Sequence, residues 1–152
     1  MTQQRYILLA ASGSAALLLG AFAFQHLGGL APCKLCIWQR YPHAVAVALG
    51  AVALLIPLPV LLAFGALAAL ASASVGLYHV GVEQSWWEGP SSCTAGAVGG
   101  VDTSDLFDQI MAAPLIRCDD IAWQLAGLSM AGWNMVISLG LAGLWIQALR
   151  SR

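Results

Sequence analysis

The sequence predicts an all-α integral membrane protein, a bundle of four helices that cross the bilayer up and down in turn. Composition and a set of four long apolar stretches carry this prediction. Of the 152 residues, 60% are hydrophobic and only 9% are charged, whereas soluble domains have about 45–50% and about 25%. A chain with so few charges could scarcely build a surface that faces water, so lipid is its natural solvent.

Each of the four stretches reaches the ~20 mainly apolar residues that a membrane-spanning helix needs. They run roughly over residues 6–27, 36–56, 58–82 and 128–149. Only Pro57, Leu58 and Pro59 separate the second from the third, which predicts a tight antiparallel hairpin. The length suits one domain, so residues 1–152 are expected to form a single membrane unit with outer loops at roughly 28–35 and 83–127.

Basic residues near the spans predict the orientation. Arg5, Arg150 and Arg152 flank the two ends of the chain, and positive charge favours the cytoplasmic side. Both termini are therefore expected in the cytoplasm, although Lys34 and Arg117 then lie on the outer side. The first stretch could instead be a secretory signal, but it is longer than the ~7–15-residue core of such signals.

The second outer loop contains an amphipathic pattern between Thr103 and Pro114. It predicts a short helix lying on the membrane surface, with the apolar face Leu106, Phe107, Ile110 and Met111. The basic residues of the chain form no run, so the sequence predicts no binding to nucleic acid.

Four cysteines form two pairs, and the first pair opens the second stretch. Cys33 and Cys36 follow directly after Pro32, a residue favoured at the start of helices. Helical residues three apart lie ~5–6 Å from each other, close enough for a disulfide. The unpaired N–H groups at a helix N-terminus stabilise a thiolate. The spacing therefore favours a pair that is competent for thiol–disulfide exchange.

Two other interpretations of the cysteines remain open at this point. Cys93 and Cys118 are the second pair, and all four thiols could form a zinc site, although zinc ribbons usually have two closely spaced pairs. The cysteines could also form structural disulfides that hold a membrane scaffold. A disulfide between Cys33 and Cys36 would close so short a loop that it stabilises the fold little, which favours a redox role.

Arg40 lies four residues after Cys36, on the same helical face and one turn deeper. An arginine just inside a membrane span is costly and commonly functional. The alternative is that its long side chain reaches back to the lipid headgroups.

At these residues the chain resembles the DsbB family of membrane thiol oxidoreductases. The first matching segment is the outer loop with the entry to the second helix, Phe24-Gln25-His26 and Pro32-Cys33-Lys34-Leu35-Cys36-Ile37-Trp38-Gln39-Arg40. The second is the approach to the fourth helix, with Cys118, Trp123, Gly127-Leu128-Ser129-Met130 and Trp133. The resemblance covers nearly the whole chain and includes both cysteine pairs.

The resemblance implies an enzyme of the bacterial inner membrane whose redox loops face the periplasm. Such an enzyme oxidises a DsbA-like thioredoxin-fold partner and passes the electrons to membrane quinone, either ubiquinone or menaquinone. Cys93 would be attacked by the partner's thiolate, Cys118 would exchange with Cys33, and Cys36 would face the quinone. The vitamin K epoxide reductase type also has a four-helix bundle and two cysteine pairs, but its closely spaced pair lies on the last helix.

The resemblance also implies residues that bind the quinone, and no metal. Arg40 is expected there, together with a polar group near the outer end of the third helix. His79 is the nearest candidate, and Glu83 or Gln84 could occupy that place instead.

Three further residues of the first two stretches are weaker candidates. His26 and His43 have less claim to the quinone than His79, and Pro42 could kink the second helix and open its backbone near the quinone.

Overall fold

A computed structural model describes residues 2–90 and 116–151 of the chain. It contains four long helices, α1 (Gln3–His26), α2 (Lys34–Leu55), α3 (Pro59–Glu83) and α4 (Met130–Arg150). Each helix begins and ends within about three residues of one of the apolar stretches. The surface helix expected around Leu106 lies outside the described residues, as does Cys93.

Three of the four helices are long and apolar enough to cross a membrane: α1, α3 and α4. Helix α2 does not meet the same measure of length and composition among the described residues. Its N-terminal half carries Lys34, Gln39, Arg40 and His43, which lower its hydropathy. The hydropathy of α2 is thus lower than that of the other three helices because α2 contains these polar and charged residues.

Local chemistry fixes where the helices begin. Cys33 precedes α2 in extended conformation, and its sulfur accepts a hydrogen bond from the backbone N–H of Cys36 at 3.2 Å. The hydroxyl of Ser129 caps α4 in the same way, accepting from the N–H of Gly132 at 3.1 Å. Pro59 opens α3, at a position where its missing N–H costs nothing.

A short β-ribbon precedes α4 and was not predicted from the sequence. Strands β1 (Gln124–Leu125) and β2 (Leu128–Ser129) pair antiparallel across a two-residue turn. Ala126 and Gly127 both have positive φ, 51° and 78°, as a type I′ turn requires. The all-α prediction therefore holds for the four helices but missed this ribbon, and the first two residues of the fourth apolar stretch belong to β2.

The larger hydrophobic core cluster surrounds Trp145 of α4, which is fully buried. It packs with Ile7, Leu62 and small residues of the other helices. A Cβ atom on Gly65 would lie 2.6 Å from the ring of Trp145, and one on Gly50 would lie 2.4 Å from the Cβ of Ala11. The helices approach this closely because small residues stand at the crossings.

Helix α2 continues through Pro42 without a break. A proline removes one hydrogen bond from the preceding turn of a helix. In that turn, the carbonyl of Gln39 accepts a hydrogen bond from the hydroxyl of Ser72 on α3, at 3.2 Å. A donor on a neighbouring helix therefore lies beside the proline, while the predicted kink at Pro42 stays a prediction.

Candidate functional site

The first cysteine pair lies at the N-terminal end of α2, where both residues are free thiols. The sulfur atoms of Cys33 and Cys36 are 2.7 Å apart, and a disulfide bond measures about 2.05 Å. Closing the bond therefore needs only a small movement of the two side chains.

Cys33 is the donor in the hydrogen bond between the two sulfurs. Its S–H donates to the sulfur of Cys36, and its side chain is only 6% exposed. The hydrogen bond and then burial raise the pKa of the Cys33 thiol well above its usual range. Cys33 consequently reacts as a thiol that must first be deprotonated, with its partner sulfur directly beside it.

Cys118 brings the second pair to the same place. It is disulfide-bonded and 1% exposed, and the bonding partner expected for it, Cys93, lies outside the described residues. Cys118 packs in one buried cluster with Cys33, Leu35 and Val82. Residues from the first and second cysteine pairs thus meet, although 85 positions of sequence separate Cys33 from Cys118.

His79 links the two pairs. Its Nε2 atom lies 3.1 Å from the carbonyl oxygen of Cys118 and 3.6 Å from the sulfur of Cys33. Its Nδ1 atom lies 2.9 Å from the amide nitrogen of Gln39. Because the carbonyl can only accept and the amide N–H₂ can only donate, the neutral ring carries its proton on Nε2. Both ring nitrogens of His79 are therefore occupied by the protein.

The same three groups also have the arrangement of a possible metal site. The ligand atoms of Cys33, Cys36 and His79 all lie within 4.8 Å of one another. His79 could bind a metal only by giving up a hydrogen bond to Gln39 or to Cys118, since each ring nitrogen already has a partner. Zinc binding at Cys33, Cys36 and His79 would therefore break one of these two hydrogen bonds, so the arrangement does not favour a zinc site.

A cavity of about 630 Å³ opens beside Cys36, within the range of sites for small molecules. Its apolar wall comes from α1 and the loop after it, including Leu17, Ala21, Phe24, Leu30 and Pro32. The lining also contains polar side chains, which come mainly from α2, α3, α4 and the loop before β1: Cys33, Cys36, Gln39, Arg40, His43, His79, Glu83, Arg117, Asp120 and Asn134.

Arg40 is held over this cavity by α1. Its Nη1 donates to the Oε1 atom of Gln25 at 2.6 Å, and its guanidinium lies 5.2 Å from the ring centre of Phe22. Its Nε–H is buried without a partner among the described residues. Arg40 thus lines the cavity one turn below Cys36, with a donor to spare, instead of extending along the helix to the surface.

Glu83 and Gln84, the other candidates at the C-terminal end of α3, lie in different surroundings. Glu83 lines the cavity, accepts a hydrogen bond from Ser129 and lies 3.9 Å from His79. Gln84 caps the end of α3 and does not belong to the described lining. His26, at the end of α1, stacks on Phe22 instead.

A polar cluster deeper in the bundle was not predicted from the sequence. Around the ring of His43 lie Ser72 at 3.0 Å, Asn134 at 2.9 Å and Ser138 at 3.3 Å. Polar residues inside apolar spans are costly and commonly functional. Ser72 on α3 and Asn134 on α4 could therefore have been recognised from the sequence as candidate functional residues. Periodicity alone could not show that they face the same histidine.

Comparison with known proteins gives the family. A family model described as "Disulfide bond formation protein DsbB" matches residues 3–148. The chain belongs to the DsbB family. The protein named disulfide bond formation protein B of Verminephrobacter eiseniae is 33% identical, over 99% of this chain and 88% of its own length. The protein of the same name from Methylococcus capsulatus is 36% identical, over 84% of this chain and 82% of its own. No solved structure matches this chain significantly.

Membership of the family supports a thiol oxidoreductase role in disulfide bond formation. Both relatives are named for disulfide bond formation, and this chain has two cysteine pairs, of which Cys33, Cys36 and Cys118 lie among the described residues. The vitamin K epoxide reductase type, the other class with two cysteine pairs, is not the family of this chain.

Proposed function

We propose that this protein oxidises a DsbA-like periplasmic dithiol partner through its two cysteine pairs and passes the electrons to a membrane quinone, ubiquinone or menaquinone. The observation that carries the proposal is the position of His79, which touches Cys118 of one pair and Cys33 of the other. Exchange between disulfides needs direct approach of sulfur atoms. A shared buried cluster that contains both sulfurs supports such an approach.

The electrons then follow a short route. The partner's two thiols reduce the Cys93–Cys118 disulfide and become a disulfide themselves. The Cys118 thiolate then attacks Cys33 of a Cys33–Cys36 disulfide. Completion of this exchange re-forms the Cys93–Cys118 disulfide and leaves Cys33 and Cys36 as two thiols, which now carry the two electrons. Finally, that pair closes to a disulfide while a quinone takes up two electrons and two protons to become a quinol.

The cavity supports a quinone as the final acceptor. Its apolar wall suits a lipid-soluble ring, and Cys36 and Arg40 stand on the same side one turn apart. The unpartnered Nε–H of Arg40 can donate to an oxygen that gains negative charge during reduction. Arg40 is thus proposed to bind and orient the quinone. His79, whose nitrogens are occupied, is proposed to position the sulfurs.

We also propose that all four helices cross the bacterial inner membrane, with both termini in the cytoplasm. The hairpin at Pro57 then lies on the cytoplasmic side, and Cys33, Cys36 and Cys118 lie at the periplasmic end. Helix α2 is less apolar than the others, but it packs between α1 and α3, and its polar side chains Gln39, Arg40 and His43 face the cavity rather than lipid.

The test uses purified protein in nanodiscs with a reduced thioredoxin-fold dithiol partner and a soluble ubiquinone or menaquinone analogue. Quinone absorbance and partner thiols are followed together for the wild type, Cys36→Ser and Cys118→Ser. The exposed Ser74→Ala serves as a matched control on α3.

We expect turnover in the wild type and in Ser74→Ala. Cys36→Ser should oxidise about one equivalent of partner without reducing quinone, because Cys93 and Cys118 remain intact. Cys118→Ser should not oxidise the partner, but a small dithiol such as dithiothreitol should still drive quinone reduction through Cys33 and Cys36. Absence of wild-type turnover with both quinone types would overturn the proposal.

A further inference from the structure

His43 lies deeper in the same cavity, seven residues after Cys36 on α2. Seven residues are about two helical turns, or ~10.5 Å along the axis, so both side chains stand on one face. His43 is 2% exposed and lines the cavity. Its Nδ1 atom is buried and has no hydrogen-bond partner among the described residues.

The direction of the hydrogen bonds around His43 is fixed by two carbonyl groups. Ser72 directs its hydroxyl hydrogen to the carbonyl of Gln39 at 3.2 Å. Ser72 Oγ then accepts from the amide nitrogen of Asn134 at 3.1 Å, and the same nitrogen lies 3.5 Å from the carbonyl of Ser72. Because carbonyls only accept, the amide N–H₂ of Asn134 must face Ser72 and its Oδ1 must face the histidine.

The tautomer of His43 follows from this arrangement. Asn134 Oδ1 lies 2.9 Å from Nε2 of His43 and can only accept, so Nε2 carries the proton of the neutral ring. Nδ1 is then left with a lone pair and no hydrogen. A buried acceptor without a partner is costly, so a cavity occupant that supplies a donor at this depth is favoured.

We propose that Nδ1 of His43 accepts a hydrogen bond from a hydroxyl of the reduced ring, the quinol, and so makes the cavity prefer the product over the quinone. This inference rests on the function proposed above. Quinone oxygens only accept hydrogen bonds and would face the lone pair of Nδ1 unfavourably, whereas a quinol carries two O–H donors.

The spacing along α2 fits such a ring. A quinol ring has its two oxygens at opposite corners, and each oxygen can make one hydrogen bond of ~3 Å. The ring and these two hydrogen bonds together span about the ~10.5 Å that separates Cys36 from His43 along the axis of α2. One oxygen then lies near Cys36 and Arg40, and the other near His43. His43 transfers no proton here: the two protons of the quinol come from the two thiols, and His43 acts as a specificity-determining residue.

The test measures equilibrium binding of a quinone and its quinol separately in nanodiscs. All variants carry Cys36→Ala, so that no electrons are exchanged during the measurement. His43→Phe removes the acceptor but keeps an aromatic ring. The double variant His43→Leu with Asn134→Leu replaces both partners by apolar side chains, which avoids leaving a buried amide unpaired. Ser138→Ala is the matched control, because it removes a polar neighbour of Nε2 and leaves Nδ1 unchanged.

We expect His43→Phe and the double variant to bind quinol roughly five- to tenfold more weakly, the order expected from one hydrogen bond, with quinone affinity unchanged or improved. Ser138→Ala should keep the quinol-to-quinone ratio of the parent. If quinone and quinol both bind the parent but the ratio does not change in either His43 variant, this inference is wrong and the proposed function stands. If neither ligand binds the parent, the proposed function fails, and this inference fails with it.

Discussion

The sulfur of Cys33 lies 3.6 Å from Nε2 of His79, and the same nitrogen lies 3.1 Å from the carbonyl oxygen of Cys118. One side chain on α3 thereby holds together the start of α2 and the loop before α4. Gln39 fixes the orientation of the ring through Nδ1. This geometry supports the proposed role of His79 in positioning the two cysteine pairs for exchange.

Replacing His79 by Phe should separate the two cysteine pairs functionally. Without the contact to the Cys118 carbonyl, we expect oxidation of the protein partner to slow about 10–100-fold, as a displacement of about 1 Å can cost. Quinone reduction driven by a small dithiol acting directly on Cys33 and Cys36 should change less than threefold. Stopped-flow measurement of both reactions checks this. Equal loss in both assays would show that His79 acts at the quinone instead.

The pH at which Cys33 reacts should depend on Cys36. The hydrogen bond to Cys36 is the main cause of the raised pKa of Cys33, and burial is the second. Only the thiolate is alkylated, so a raised pKa keeps Cys33 protonated and unreactive at neutral pH. In Cys36→Ala we expect the alkylation profile of Cys33 to shift to lower pH.

Iodoacetamide labelling of the reduced protein across pH, read by mass spectrometry, provides the measurement. The burial contribution remains in the variant, so the profile should still lie above that of an exposed cysteine. An unchanged profile would mean that the hydrogen bond to Cys36 does not control the pKa of Cys33.

Arg40 should affect the quinone and not the protein partner. In Arg40→Gln the donors that face the cavity and the positive charge are lost, so we expect KM for the quinone to rise about tenfold or more. The half-reaction with the dithiol partner, which uses Cys93 and Cys118, should keep its rate. Gln25→Leu, which removes the acceptor of Arg40 Nη1, should show the same effect more weakly. An effect on the partner half-reaction would contradict the assignment of Arg40.

Gly65 should matter for stability and not for chemistry. A Cβ atom there would lie 2.6 Å from the ring of Trp145, and such overpacking costs about 1–3 kcal/mol. Gly65→Ala should therefore lower the midpoint of thermal unfolding in detergent. Gly140→Ala on α4, where nothing lies within 4 Å of the added atom, is the matched control and should unfold like the wild type. Equal midpoints for the two variants would argue against the packing of Trp145 on α3.

The sequence by itself determined the four helices and the identity of the reactive groups. Span length and apolar content are properties of consecutive residues, so the helix bounds could be predicted to within about three residues. The position of Cys33 and Cys36 at a helix start also follows from neighbours in sequence. Arg40 on the same face follows from the helical repeat.

The tertiary structure decided which groups meet. His79 touches residues 46 and 39 positions away, Cys33 and Cys118, and His43 touches Asn134 at a separation of 91. The helical repeat tells which residues share a face, but not which face of another helix lies opposite. That depends on how the helices rotate and pack around small residues such as Gly65. The link between the cysteine pairs and the unpartnered nitrogen of His43 could therefore be found only in the folded bundle.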